Sequence, residues 1–212
     1  MAVIPLVLSL LLVAVASVPN EGPCDIYLRG ETPCVAAHSM TRALYGLYAG
    51  PLYTVWSADA NQTKDITVSP GGVADTAAQE AFCGHSSSSS CVVTRIWDQS
   101  PNGNHLGIEK GPTWFKPPRG GQDNGVGFTD DRSKATLGGH PVFSALFDNG
   151  NAAHIQYGYS NRTAQGTATG DEPQSIYAVL SGKVFNGGCC FARHDSAEHF
   201  SRLDALLFTA MG

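Results

Sequence analysis

The sequence predicts a turn-rich, mainly β domain of the sandwich type, and three observations carry that prediction. The 212 residues include 24 glycines and 12 prolines, above the usual share, which favours turns and short strands over long helices. Short β-branched and aromatic runs, clearest from Cys91 to Trp97, recur between polar turn clusters. Candidate helices are few and short, with no linker and no internal repeat, which favours a sandwich over a parallel α/β sheet. The length suits one domain. A net charge of -5 with 13 Lys plus Arg and no basic run excludes a nucleic-acid footprint. Apolar and aromatic residues throughout exclude disorder.

Taken in chain order, Val3 to Val15 is almost wholly apolar and Ala14-Val15-Ala16 forms a small-residue cleavage pattern. Residues 1–16 are therefore predicted to be a secretory signal peptide, and the chain to be extracellular. The run falls short of the roughly 18 to 25 residues a membrane span requires, and no later segment qualifies. Cys24 to Leu28 reads as a short strand ended by Gly30 and Pro33. Val35, Ala36, Met40, Ala43, Leu44 and Leu47 recur at helical spacing, predicting a helix over Val35 to Tyr48 closed by Gly50-Pro51. Leu52 to Ser57 and Ile66 to Val68 flank a polar turn and read as a hairpin. Val73 to Phe82 is a short Ala-rich helix, and Cys91 to Trp97 is a strand. Pro101 to Arg132 reads as loops. Val142 to Phe147 and Ser175 to Leu180 are further strands. Gly71-Gly72, Gly120-Gly121 and Gly138-Gly139 read as turns.

Six cysteines in a secreted chain favour disulfides over metal ligation. Cys83 and Cys91 bracket a serine run, Ser86 to Ser90, and Cys24 and Cys34 bracket Gly30 and Pro33. Local pairing is the preferred reading of both among 15 formal connectivities. Cys189 and Cys190 are then left over. A bond between neighbours needs a distorted peptide, because adjacent Cα atoms lie about 3.8 Å apart, below the usual disulfide range. Asn186-Gly187-Gly188 supplies the backbone freedom. Such a pair presents a flat apolar face suited to a sugar ring. Two ordinary thiols, or two distant pairings, remain the alternatives.

Asn61-Gln62-Thr63 and Asn161-Arg162-Thr163 are N-glycosylation sequons, at Asn61 and Asn161. Seven histidines are scattered without ligand spacing, so no metal site is predicted. Asp98 ends the best strand, where a carboxylate can orient a substrate, but capping of the Pro101-Asn102-Gly103 turn is preferred. Trp56, Trp97 and Trp114 can stack on sugars, although isolated tryptophans are more often core.

Several ordered motifs then combine. They are G-P-C-D-I-Y (Gly22 to Tyr27), T-P-C-V-A-A-H-S (Thr32 to Ser39), T-R-A-L-Y-G (Thr41 to Gly46) and A-G-P-L-Y (Ala49 to Tyr53). D-Q-S-P-N-G-N-H-L (Asp98 to Leu106), G-T-A-T-G-D (Gly166 to Asp171), I-Y-A-V-L (Ile176 to Leu180) and F-N-G-G-C-C-F (Phe185 to Phe191) follow. Together they closely resemble the catalytic domain of the secreted α-L-arabinofuranosidases of glycoside hydrolase family 54, from about Gly22 to Phe191.

The resemblance implies a concanavalin-like β-sandwich (jelly roll) with a few short helices. It also implies the two local disulfides and a vicinal Cys189–Cys190 bond lining the arabinose pocket. The implied activity is retaining exo-hydrolysis of terminal α-L-arabinofuranosyl residues. The implied partner is plant cell-wall polysaccharide (arabinoxylan, arabinan) or an arabino-oligosaccharide, handled by a monomer with no cofactor, nucleic acid or membrane.

From Ala192 to Gly212 the chain departs from the family pattern, and no D-x-E-N-like motif occurs. Residues 17–212 are thus expected to form a partial catalytic domain, incomplete at its C-terminal end, with a divergent tail at 192–212 and no arabinose-binding trefoil. Neither the nucleophilic Glu nor the acid/base Asp of the family is carried over, so no catalytic residue is assigned. Glu198 and Asp204 in the tail have no spacing that separates them from surface charges. The alternative function is a non-catalytic remnant or arabinose-binding β-sandwich module.

Overall fold

Pro23 at a first helical position and Asp25 two residues on begin a helix where alternation suggested a strand. In the computed structural model, which describes residues 21–57, 60–83, 91–108, 134–144, 159–180 and 205–211, α1 spans Pro23–Arg29. The Gly22 N–H donates to the Asp25 carboxylate at 2.8 Å, satisfying one of the donors that a helix start leaves open. That cap corrects the strand expected over Cys24 to Leu28, since Pro at a helix start costs nothing there.

The helix expected over Val35 to Tyr48 is also corrected. Strand β1 spans Cys34–Ser39, and residues 40–50 follow as turns and extended chain. The misleading stripe fails at Leu47, which is 83% exposed. Ser39 explains the break: its Oγ accepts the N–H groups of Thr41 and Arg42, each at 3.1 Å. A serine turn of this kind competes with helical bonding.

The hairpin forms as expected. Strands β2 (Pro51–Ser57) and β3 (Gln62–Thr67) pair antiparallel, with Tyr53 opposite Ile66 and Ser57 opposite Gln62. Helix α2 (Thr76–Cys83) starts three residues later than its apolar pattern suggested, because Asp75 Oδ1 accepts the Ala78 N–H at 3.0 Å and Val73 and Ala74 are held in bridges. Strand β4 (Cys91–Ile96) runs as read, and β5 (Leu106–Ile108) lies within the stretch expected to be loop. Strands β6 (Lys134–Leu137) and β7 (His140–Phe143) form a hairpin. Its Gly138 and Gly139 have φ of 57° and 85°, the left-handed pair that a two-residue turn requires. Strand β7 starts before Val142; residues 145–147 lie outside the described residues. Strands β8 (Tyr159–Ser160), β9 (Ser175–Leu180) and β10 (Ala205–Met211) complete the order.

Among the described residues the fold is mainly β, as expected. One antiparallel sheet has the order β3-β2-β4-β5-β8 and another the order β1-β10-β9. The tail thus contributes β10 as a central strand, with Ala37 opposite Thr209 and Thr209 opposite Tyr177. The larger core gathers Leu52, Tyr53, Val55, Ile66 and Val93 around the Cys83–Cys91 disulfide. Tyr53 is fully buried, and its hydroxyl donates to Gln79 Oε1 at 2.5 Å, which satisfies the one polar atom on a large core ring. A smaller core packs Ala37 and Leu44 against Cys24–Cys34. Both disulfides read from local spacing are present, with Cα–Cα distances of 5.7 Å and 5.6 Å.

Candidate functional site

The segment after β4 is built from side chains that bond their own backbone. Asp98, Ser100, Asn102 and Asn104 alternate with Pro101 and Gly103, a composition that makes turns out of Asx and Ser hydrogen bonds. Asp98 does cap this turn, as the sequence suggested, and does more. Its Oδ1 accepts the N–H groups of Ala37 on β1 at 2.7 Å and of Ser100 at 2.8 Å. Its Oδ2 accepts the Ser100 hydroxyl at 2.6 Å and the Asn104 N–H at 2.7 Å. Four donors converge on one buried carboxylate. That saturation leaves no lone pair aimed at a substrate, so Asp98 is a clamp between β1 and the β4–β5 turn.

The neighbouring polar groups extend the clamp. The Gln99 N–H donates to the Ala37 carbonyl at 2.8 Å, and Gln99 Oε1 accepts the Leu44 N–H at 2.7 Å. Asn104 Nδ2 donates to the carbonyls of Val35 (2.9 Å) and Gln165 (2.8 Å), while its Oδ1 accepts the Gln165 N–H at 2.8 Å. One asparagine therefore ties β1 to the loop after β8.

Two imidazoles are fixed by this network. His38 Nε2–H donates to the Asn104 carbonyl at 2.7 Å. His105 Nδ1 accepts the Asp98 N–H at 3.0 Å, so the proton of its neutral ring sits on Nε2. Burial holds the pKa of His38 below the usual histidine value, against the raising influence of Asp98 and the Asn104 carbonyl. Burial likewise lowers that of His105, opposed by Asp98 and aided by Arg95. An unfolded histidine takes up its proton near pH 6.5. Below that pH the unfolded chain binds protons the folded one refuses, so this stability is complete above about 6.5 and is lost on acidification. The expected loss is up to about 1.4 kcal/mol per pH unit for each ring that stays neutral. Urea unfolding midpoints at pH 7.5 and 5.0 check this; equal midpoints at the two pH values would contradict it.

Beside this clamp an open cleft of about 470 Å³ is lined by Arg95 on β4, Ile108 on β5 and Ser160 on β8, with His105 before β5 and Asn161 and Arg162 after β8. Tyr159 secures β8 by donating its hydroxyl to the Val93 carbonyl at 2.7 Å. Trp97 supports the wall: His105 meets it edge-on with centroids 4.7 Å apart, the Arg95 guanidinium lies 4.9 Å over it, and its Nε1–H donates to Thr54 Oγ1 at 2.9 Å. Trp97 is thus engaged on several sides and is not an open platform. Trp56 is half-buried on β2.

The predicted sugar platform, Cys189 and Cys190, lies outside the described residues, as do residues 1–16, Trp114, Gly120-Gly121, Glu198 and Asp204. Asn61 is exposed at a left-handed turn position, φ 49°, which asparagine tolerates. Asn161 Oδ1 accepts the N–H and hydroxyl of Thr163 at 2.9 Å and 3.0 Å. Sequence reasoning passed over Arg95, His38, His105 and Asn104. The alternation of Asx and Ser residues after Asp98 was the available signal for the clamp.

Two antiparallel sheets, joined by a buried polar turn, define a domain of the β-sandwich class. The chain matches the family described as "Alpha-L-arabinofuranosidase B, catalytic" over residues 23–205 and belongs to it. It is 48% identical over 85% of its length to α-L-arabinofuranosidase B of Emericella nidulans, and 47% identical over 80% to a probable α-L-arabinofuranosidase B of Aspergillus terreus. It covers 34% and 32% of those proteins, so it spans about a third of the relatives' length. A crystal structure of an arabinofuranosidase complexed with arabinofuranosyl-α-1,2-xylobiose is 42% identical and superimposes with a TM-score of 0.67, covering 80% of this chain and 33% of that one. A family 54 enzyme soaked with a cyclic sulfate inhibitor gives 0.64, with the same identity and coverage. The family match runs past Phe191, where the recognisable motifs end, to residue 205.

Proposed function

We propose that the chain serves the extracellular release of terminal α-L-arabinofuranosyl residues from arabinoxylan or arabinan, by retaining exo-hydrolysis without a cofactor. The observation that carries this reading is its 42% identity, over 80% of its length, to an enzyme solved with an arabinosylated xylobiose. Cys189 and Cys190, as a vicinal disulfide, form the apolar platform under the sugar ring, and Asn61 and Asn161 carry the glycans of a secreted monomer.

Retention requires two carboxyl groups about 5 to 5.5 Å apart, one attacking the anomeric carbon and one protonating the leaving oxygen. No motif in the 212 residues supplies that pair, so this segment contributes scaffold and sugar platform to the reaction. A second reading is an arabinose-binding sandwich without chemistry, in keeping with the lack of a D-x-E-N-like motif in these 212 residues. The test is 4-nitrophenyl α-L-arabinofuranoside with the purified 212-residue chain. Arabinose binding without nitrophenol release is expected. Turnover would overturn the assignment of a missing carboxylate pair, and absence of both binding and turnover would overturn the arabinose reading itself.

A further inference from the structure

The turn after β4 holds two asparagines in opposite chemical situations. Asn104 is buried, its Oδ1 accepts the Gln165 N–H at 2.8 Å, and its Nδ2 donates to two carbonyls. The residue that follows it is equally engaged: the His105 N–H donates to the Gly103 carbonyl at 2.8 Å. Asn102 is exposed, as are Pro101 and Gly103 on either side. Its Nδ2 donates to the Val35 carbonyl at 2.8 Å, which anchors the side chain. Among the described residues, neither Asn102 Oδ1 nor the Gly103 N–H has a protein partner, and both are left to water.

Gly103 completes the arrangement. It has a φ of 67° and no Cβ, and the nearest atom to the place where a Cβ would stand is His105 Nε2, at 3.8 Å. An unbonded main-chain nitrogen thus follows an anchored amide whose oxygen is open to water. Closure of a five-membered ring between that nitrogen and the amide carbon is least hindered when the following residue is glycine.

We propose that Asn102-Gly103 is a self-modification site, at which the folded chain deamidates through a succinimide and loosens its own clamp on β1. Hydroxide removes the Gly103 N–H proton, and that nitrogen bonds to Asn102 Cγ. The Cγ–Nδ2 bond breaks, and Nδ2 leaves as ammonia with a proton taken from water. A water molecule then opens the ring at either carbonyl, giving aspartate, or isoaspartate with the main chain routed through Cγ. Nothing is oxidised or reduced. Both products lack the Nδ2 donor and carry a carboxylate, which the Val35 carbonyl repels. Ser100 Oγ and Asn104 Nδ2 still donate to that carbonyl, at 3.1 Å and 2.9 Å, so the clamp weakens without coming apart.

The test is incubation of the full chain under native conditions at pH 6.0 and 8.0. Peptide mapping by mass spectrometry follows deamidation, and a protein isoaspartyl methyltransferase reports isoaspartate. Mapping also separates position 102 from the Asn-Gly pairs at Asn124, Asn149 and Asn186, which lie outside the described residues. Conversion at 102 is expected, faster at pH 8.0, with Asn104 unchanged. Asn102→Gln, which cannot close the five-membered ring, is expected to stay unmodified. The Asn102→Asp variant is expected to melt about 2–4 °C below the fresh parent. Conversion at 102 no faster than at 104 overturns the proposal. Conversion seen only in urea also overturns it, because the anchored turn then forbids the attack. Equal melting of the parent and Asn102→Asp overturns the loosening of the clamp.

Discussion

Replacing Asp98 by Asn is expected to lower the unfolding free energy by about 3 kcal/mol, while the chain still folds. The reason is an imbalance of donors. The carboxylate accepts from Ala37 N–H, Ser100 N–H, Asn104 N–H and the Ser100 hydroxyl, all within 2.6–2.8 Å. An amide offers one acceptor oxygen and one NH2. With the NH2 turned toward Ala37, two backbone N–H groups face a donor. With it turned the other way, the Ser100 hydroxyl can rotate but the Asn104 N–H remains opposed. The second arrangement is the cheaper, and it still strands a buried N–H and weakens the three remaining bonds from charge-assisted to neutral. The isosteric shape leaves no cavity, so the loss reports polar satisfaction alone. Ser100→Ala removes one donor and is expected to cost about 1 kcal/mol. Denaturant midpoints of the two variants check the ranking; an Asp98→Asn midpoint within error of the parent would show that the clamp contributes nothing.

The same residue marks how far the sequence could be read. Asp98 as a turn cap was legible, because Asx and Ser residues at alternate positions have a local mechanism. Its bond to Ala37, 61 residues away, was not, since nothing local encodes it. The hairpin of β2 and β3 and the strands β4 and β9 were legible from β-branched and aromatic runs bounded by turns. Strand β1 was not, because four consecutive buried positions from Ala36 leave no alternation, apart from the half-buried Val35, and several of its residues also fit a helical stripe. Helix α1 was hidden for the opposite reason. With Ile26 and Leu28 more than half exposed, seven residues give no amphipathic period, and only Pro23 and Asp25 signal a helix start. The cleft was illegible because Arg95 and Arg162 lie far apart in the chain and meet only through the β5–β8 pairing. The local disulfides, by contrast, followed from spacing.

Removing the Cys24–Cys34 bridge as Cys24→Ala/Cys34→Ala is expected to cost about 3 kcal/mol, and to release α1 before the rest of the domain unfolds. A ring closed over a sequence separation of 10 restricts the unfolded chain by about that amount in the chain-entropy account. The Cys83–Cys91 ring, at 8, differs by only about 0.2 kcal/mol on the same scale. What separates the two bridges is what else holds their elements. Cys91 sits in register on β4 opposite Ser57, and α2 packs on β2, β3 and β7. Helix α1 has seven residues, too few to persist alone, and contacts mainly β1. Beyond the disulfide it is fixed by the Cys24 N–H to the Leu44 carbonyl at 2.9 Å and by Asp25 Oδ2, which accepts the Gly46 N–H at 2.6 Å. Gly22 approaches the Leu44 carbonyl so closely that a Cβ there would collide with it. These contacts position α1 but bury little apolar surface. Loss of the Cys24–Cys34 bridge should therefore accelerate tryptic cleavage after Arg29 under native conditions, whereas Cys83→Ala/Cys91→Ala should lower the global midpoint without that local cut. Equal protection at Arg29 in both variants would mean that the capping and Leu44 contacts suffice to hold the helix.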